Sequence, residues 1–354
     1  MVDPLNKKRI WKGTRIFVLF SLLGLTIIFF YNISTKGIKL PSRYDLTFLF
    51  VAILLILIDF SLGAFRYRIF FTGEILDKVS FLNCWRANLA NIFFGAITPF
   101  QTGGGPAQLY IFSRAGVPLA GSISVSLINF FSSLLFLLIS AFVAIILIRE
   151  QAWGELVLNL VRYSFIAFFI AFFLFLALLV KTKTMDRWIQ KIIRLVYRIL
   201  GKKRKKEPGF YEKFRDKAIE FKSYLKFFLQ KKKSIFLYSF LLTILLYFNK
   251  YLIAYAIVRG MGFYPEFWEV IKIQILQFFF LYFSPTPGAS GLGEISSFFL
   301  MSKLIPIAQL SIFAFVWRFF TSYVGIGLGG YILLSDLNSY FKEKEKVIPK
   351  EMNE

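Results

Sequence analysis

Three charged side chains of this sequence lie inside apolar runs. Asp59, Lys250 and Arg318 each stand well away from the ends of such a run. A charge at membrane depth costs about 3 kcal/mol on insertion scales, and charges at such depth usually serve a function. Arg318 could bind a phosphate group, because a guanidinium forms charge-assisted hydrogen bonds with phosphate oxygens. The structural alternative is an ion pair between Arg318 and either Glu294 or Asp59.

Glu294 is the fourth charged candidate. It directly follows Gly293, at a position where we expect a helix to begin. The simplest role for its carboxylate is to lie against the positive N-terminal end of that helix. The carboxylate could instead bind an ammonium group or carry a proton.

Consecutive glycines and several amides form a second group of candidates. Gly103, Gly104 and Gly105 precede an expected helix start, so their backbone N–H groups could contact an anion. Close packing between helices requires glycine equally. The amide side chains that could line a polar cavity, or pair between helices, are Gln101, Gln108 and Asn129.

The glycine-rich segment occurs twice in the chain. Thr98–Pro118 aligns without a gap to Thr286–Pro306, which lies 188 positions later. The matched residues include several that shape the backbone: Thr98 with Thr286, Pro99 with Pro287, Gly103 with Gly291, Gly105 with Gly293 and Pro118 with Pro306. An ungapped match favours an internal repeat. Pro106 takes the place of Glu294 in the first copy, so the two copies differ in charge.

Each copy has the pattern of a helix broken by proline and glycine. The expected breaks contain Pro99 in the first copy and Pro287, Gly288, Gly291 and Gly293 in the second. Unpaired backbone groups are costly in lipid, so a break persists at membrane depth only where it is buried in protein or lines a wet cavity. Paired breaks in corresponding halves indicate the binding site of a transporter. Two ordinary loops at the membrane surface are the alternative.

Familiar catalytic and metal sites are missing from the sequence. It contains no histidine and one cysteine, Cys84, which removes the usual general base, the commonest metal ligand and any internal disulfide. No nucleophile motif accompanies the acidic residues, and no Gly-Lys-Ser/Thr follows the glycines. We therefore predict no catalytic residues, no metal and no cofactor.

Composition places the chain in a membrane. It is 57% hydrophobic and 19% aromatic, with a mean hydropathy of +0.64. The net charge is +23, and the basic residues lie between the apolar runs. This distribution indicates membrane topology rather than nucleic-acid binding. We predict an all-α inverted-repeat bundle with two broken hairpins at 81–118 and 267–305. The six predicted spans are 16–33, 46–64, 119–148, 163–180, 234–258 and 307–334.

Basic residues predict the orientation of these spans. The segment 181–233 has 19 Lys/Arg against 5 Asp/Glu, which indicates a cytoplasmic location. Both termini then lie in the cytoplasm of a multi-pass protein of the cell (inner) membrane. The predicted parts are a first repeat over 1–180, the basic segment 181–233, a second repeat over 234–335 and a tail over 336–354.

The basic segment has a pattern of its own. Apolar and basic faces alternate over 187–199 and again over 214–228, as in helices that lie in the membrane interface. Such helices would bind anionic lipid headgroups. The alternative is that their charges only fix topology.

Two motifs resemble a known family. They are TPFQTGGGPAQLYIFSRAG, which begins at Thr98, and SPTPGASGLGE, which begins at Ser284 and is followed by FVWRFFTSY around Arg318. The sequence is similar over essentially its whole length to the lysylphosphatidylglycerol synthase transmembrane-region family, the membrane module of the multiple peptide resistance factor. The resemblance implies a flippase-like membrane fold that moves phospholipids between leaflets. In that family a separate soluble domain makes the aminoacyl lipid; we expect none here, because the chain ends at Glu354 after a short polar tail.

Taken together, these patterns predict a phospholipid translocase whose partners are membrane phospholipids. Arg318, Glu294, Asp59 and Lys250 are its expected headgroup-binding residues, with the glycines and amides named above. A homo-oligomer is compatible with the sequence. An intramembrane transferase and a noncatalytic membrane subunit stay open as alternatives.

Overall fold

The chain is all-α in the residues that the structure describes. This computed structural model describes residues 7–101, 103–147, 210–282 and 284–351, together with some residues between 159 and 173; no strand occurs among them. The helices are α1 Lys7–Thr35, α2 Leu46–Arg68, α3 Phe81–Ala96, α4 Gly104–Arg114, α5 Leu119–Leu147, α6 Phe210–Lys226, α7 Lys233–Gly260, α8 Phe267–Tyr282, α9 Leu292–Met301, α10 Ile307–Arg318 and α11 Val324–Glu351.

Within the part of the chain that the structure describes, five stretches of helix are long and apolar enough to cross a membrane. Each holds an apolar window with few charged residues, as a bilayer core of about 30 Å requires. They match five of the six predicted spans, and the sixth, over 163–180, falls largely outside the described residues. The five are Lys8–Thr35, Leu46–Arg68, Leu119–Val143, Lys233–Gly260 and Ile307–Tyr340.

Short 3-10 turns interrupt the helices where the proline and glycine residues predict a break. Pro99–Gln101 separates α3 from α4, and Pro287–Ala289 separates α8 from α9. The same offset of 188 relates the starts of both turns, of α4 and α9, and of α5 and α10. Gln101 and Ala289, also 188 apart, are the described non-glycine residues with positive φ, at 55° each. The internal repeat therefore extends from the sequence to the backbone.

The chain divides into two compact units. The first contains α1 to α4, the part of α7 from Ile244 onward, and α8 to α11, and so holds both breaks. The second contains α5, α6 and the beginning of α7.

Glycines allow close packing within the first unit. A Cβ atom at Gly24 of α1 would lie 2.7 Å from Cα of Gly291, so α1 packs directly on the second break. On α11, a Cβ atom at Gly329 would overlap the carbonyl oxygen of Leu89 on α3. Small residues of this kind let membrane helices approach closely, where dispersion contacts and weak hydrogen bonds stabilise the pair.

In the second unit, α6 packs against α5. Leu225 of α6 and Phe228 of the following π-helical turn are buried. Part of the apolar face predicted over 214–228 therefore covers protein where we expected lipid. The other predicted interfacial helix, over 187–199, lies outside the described residues. Asn129 of α5 accepts a hydrogen bond of 3.1 Å from Ser239 of α7. This contact matches the second of the two roles considered for Asn129, which is pairing between helices.

Candidate functional site

A polar cavity lies where the two helix breaks meet. The two 3-10 turns pack against each other, and a Cβ atom at Gly288 would lie 2.9 Å from the carbonyl oxygen of Ala96. Beside them is a cavity of about 240 Å³. The second break contributes Gly288 and Ala289 to its wall. Its polar lining comes from the first break and from α2, α3, α7, α8, α10 and the turn after α10: Asp59, Asn91, Gln101, Tyr247, Lys250, Tyr282, Arg318, Thr321 and Ser322.

Asp59 and Lys250 form an ion pair at this cavity. The Lys250 ammonium donates a hydrogen bond of 2.7 Å to Oδ2 of Asp59. The two residues come from different predicted spans, α2 and α7, and Asp59 is 6% exposed. Within the described residues, Oδ1 of Asp59 is buried and accepts no hydrogen bond. A buried pair of this kind neutralises both charges but leaves the carboxylate incompletely satisfied.

Arg318 and Glu294 form a second, more deeply buried ion pair. Nε of Arg318 donates to Oε1 of Glu294 at 3.0 Å, and the two residues are 2% and 0% exposed. This is the structural alternative that the sequence raised for Arg318, and Asp59 has Lys250 as its partner. Arg318 still lines the cavity, whereas Glu294 lies behind it.

The remaining nitrogens of Arg318 tie the cavity to the second break. Nη1 donates to the hydroxyl of Ser322 at 3.0 Å, and Nη2 donates to the carbonyl oxygen of Gly288 at 3.1 Å. A Cβ atom at Gly293 would lie 3.0 Å from Cζ of Arg318. Glycine at 293 therefore lets the guanidinium lie against the backbone of the break.

Glu294 joins three elements through its two carboxylate oxygens. Oε2 accepts the backbone N–H of Gly291 at 2.7 Å, at the start of α9. Oε1 also accepts the hydroxyl of Tyr323 at 2.8 Å. Tyr323 and Ser322 belong to a π-helical turn, Phe319–Tyr323, a geometry often found at functional sites. Glu294 thus combines the helix-capping role with the structural ion pair.

At the first break, neutral groups form the hydrogen bonds that stabilise the backbone and the neighbouring side chains. The backbone N–H of Gly103 donates to Oγ1 of Thr98 at 2.8 Å. Gln108 is 1% exposed and accepts a hydrogen bond of 2.8 Å from Asn91, which lines the cavity. A Cβ atom at Gly104 would lie 2.7 Å from Oδ1 of Asn91, while Gly105 has open space. Gln101 is thus the predicted amide that reaches the cavity; Gln108 orients Asn91 instead.

Several residues around the cavity were missed by the sequence reasoning. Arg66 is not among the candidate residues named from the sequence, yet it interacts electrostatically with Asp59, Tyr247 and Tyr282. Asn91 and Ser322 carried a weak signal, because each is a polar residue on an apolar helix that approaches or follows a break. No sequence signal distinguishes Tyr247 or Tyr282 from the many other aromatic residues of the chain.

Comparison with known proteins identifies the family of the chain. The family described as "Lysylphosphatidylglycerol synthase TM region" matches residues 14–329, which include both breaks and every residue of the cavity. A protein described as "UPF0104 membrane protein", from Archaeoglobus fulgidus, is 24% identical over 321 residues, covering 88% of this chain and 93% of that protein. The chain therefore belongs to the lysylphosphatidylglycerol synthase transmembrane-region family.

Proposed function

We propose that this protein moves a phospholipid between leaflets, with the headgroup in the cavity and the acyl chains in the bilayer. The observation that carries the proposal is the polar cavity at the junction of the breaks. It presents the cations Lys250 and Arg318 and the amides Asn91 and Gln101 within a unit rich in membrane-spanning helices.

The chemistry of the lining matches the barrier to lipid flipping. A charged phosphate that enters hydrocarbon without partners loses its water contacts at a cost of many kcal/mol. The ammonium of Lys250, the guanidinium of Arg318 and the amides can replace those contacts. At about 30 Å³ for each water molecule, the cavity also has room for several waters beside a small headgroup.

The repeat supplies a route for alternating access. In our proposal the two hairpins enter from opposite faces of the membrane, and one repeat rocks against the other to open the cavity to each leaflet in turn. The excess of Lys and Arg over 181–233 supports a cytoplasmic location for that segment and, in our proposal, for both termini. An engineered cysteine near Gly201 that reacts only with reagent added outside the cell would reverse this orientation.

Leaflet exchange in proteoliposomes tests the proposal. We expect the wild type to move a labelled phospholipid between leaflets, and Lys250→Gln to slow the exchange about tenfold or more, which corresponds to about 1.4 kcal/mol. Lys272→Gln is the matched control, because Lys272 pairs with Glu269 on α8 and does not line the cavity. Each variant is first shown to be folded.

The same vesicles separate the alternative functions. A change in the mass of the lipid would support an intramembrane transferase. A wild-type exchange rate equal to that of protein-free vesicles would contradict the proposal and favour a noncatalytic subunit.

A further inference from the structure

We propose that binding of an anionic phosphate headgroup transfers a proton from water to Asp59, so that lipid and proton enter the cavity together. This inference rests on the proposed function and adds an ion-coupled step to it. It follows from the position of Lys250, which pairs with Asp59 and lines, together with Asp59, the space that the headgroup would occupy.

Lys250 is available to two partners. Its ammonium group pairs with Asp59 at 2.7 Å, and the side chain also lines the cavity and is 22% exposed. A lysine ammonium is a compact charge on a flexible stem, so it can turn from one acceptor to another. A phosphate in the cavity therefore competes with Asp59 for Lys250.

Arg318 is less free to respond. Its three nitrogens are hydrogen-bonded to Glu294, Ser322 and Gly288 in the same unit. Lys250 can therefore change its partner from the Asp59 carboxylate to a phosphate with a smaller rearrangement than Arg318 would need.

Loss of Lys250 leaves Asp59 in an unfavourable state. The carboxylate is 6% exposed, and its Oδ1 accepts no hydrogen bond within the described residues. Burial without a hydrogen-bonded cation favours the neutral form of a carboxyl group. A proton from the aqueous phase would then bind to a carboxylate oxygen of Asp59, while Lys250 stays an ammonium.

Other charged and titratable groups lie around Asp59. Arg66 on the same helix interacts electrostatically with Tyr67, with Tyr247 of α7 and with Tyr282 of α8, and less strongly with Asp59. Arg318 of α10 lines the same cavity but is paired with Glu294. On the α3 side the cavity presents neutral Asn91.

The net charge of the cavity also favours the coupled step. A phosphodiester headgroup with one negative charge and one proton together add no net charge to the cavity. A headgroup that entered alone would add one negative charge to a region of low dielectric, where added charge without a new partner is unfavourable.

Calorimetric titration tests the inference. The full-length protein in detergent is titrated with a short-chain phosphatidylglycerol in two buffers of equal pH but different ionisation enthalpy. We expect the wild type to take up about one proton for each lipid bound. Asp59→Asn should bind the lipid without proton uptake, whereas Asp336→Asn, which removes an ion pair with Arg86 away from the cavity, should keep the uptake.

The outcomes separate this inference from the proposed function. Wild-type binding without proton uptake overturns the inference and leaves the function intact, as does uptake that persists in Asp59→Asn. Absence of lipid binding in the wild type contradicts both. The wild-type measurement needs no variant, so the inference stays testable if Asp59→Asn does not fold.

Discussion

At the scale of single residues, the structure gives Glu294 a role in positioning Arg318. Glu294 is fully buried, lies behind the cavity and accepts hydrogen bonds from Arg318, Tyr323 and the backbone of Gly291. Arg318 lines the cavity while its guanidinium is held by the hydrogen bond to Glu294. In the first repeat the equivalents of Glu294 and Arg318 are Pro106 and Phe130, which cannot form an ion pair.

Removing the charge of Glu294 should destabilise the fold. Glu294→Gln leaves Arg318 buried without a counter-ion, and we expect a loss of about 3 kcal/mol in the free energy of unfolding. The buried thiol of Cys84, the single cysteine of the chain, reports unfolding when a thiol-reactive dye gains access on heating.

Asp336→Asn is the control for this measurement. Its ion pair with Arg86 is more exposed, at 18% and 35% for the two side chains, so its loss should cost about 1 kcal/mol or less. Equal losses in the free energy of unfolding for the two variants would show that burial of the Arg318–Glu294 pair does not increase its contribution to stability.

At the scale of elements, the packing of α11 on α3 depends on particular glycines. Gly325, Gly329 and Gly330 of α11 face other helices closely, whereas Gly327 has open space around it. The contact brings α11 against the helix that carries Asn91 and leads into the first break. Substitutions along one helix can therefore separate packing from helix propensity.

We expect Gly329→Ala to destabilise the protein and Gly327→Ala not to do so. A methyl group at 329 would overlap the carbonyl oxygen of Leu89, and such overpacking costs about 1 to 3 kcal/mol. Alanine at 327 meets no atom and gains up to about 1 kcal/mol from helix propensity. Thermal unfolding of the two variants in the same detergent gives the comparison, and a similar loss in both would contradict the proposed contact.

The elements themselves were largely predictable from the sequence, whereas their partners were not. Proline and glycine mark the breaks because they restrict or free the backbone, so the 3-10 turns at Pro99 and Pro287 stand at predicted positions. The π-helical turn Phe319–Tyr323 contains neither residue and gave no signal. Pairing of Asp59 with Lys250 joins positions 191 residues apart, which a charge pattern along the chain cannot specify.

At the scale of the whole molecule, two predictions are confirmed: the family, from the two motifs, and the all-α membrane fold, from the composition and the apolar runs. The cavity collects residues from distant parts of the chain into the first unit, where the two copies of the repeat touch. The central claim of our account is that a lipid headgroup passes through this cavity. Substitutions that change the charge of the cavity test this claim indirectly, through their effect on headgroup binding. Filling the cavity with a bulky group tests the route of the headgroup directly.

Blocking the cavity with a thiol reagent is the most direct measurement. In a Cys84→Ser background, Ser322→Cys places a thiol on the cavity wall, and Ser339→Cys places one on an exposed part of α11. After complete modification by a bulky reagent, verified by mass, leaflet exchange should fall to the protein-free rate for Ser322→Cys and stay unchanged for Ser339→Cys. Undiminished exchange by fully modified Ser322→Cys would contradict the account, because the headgroup would then take another path.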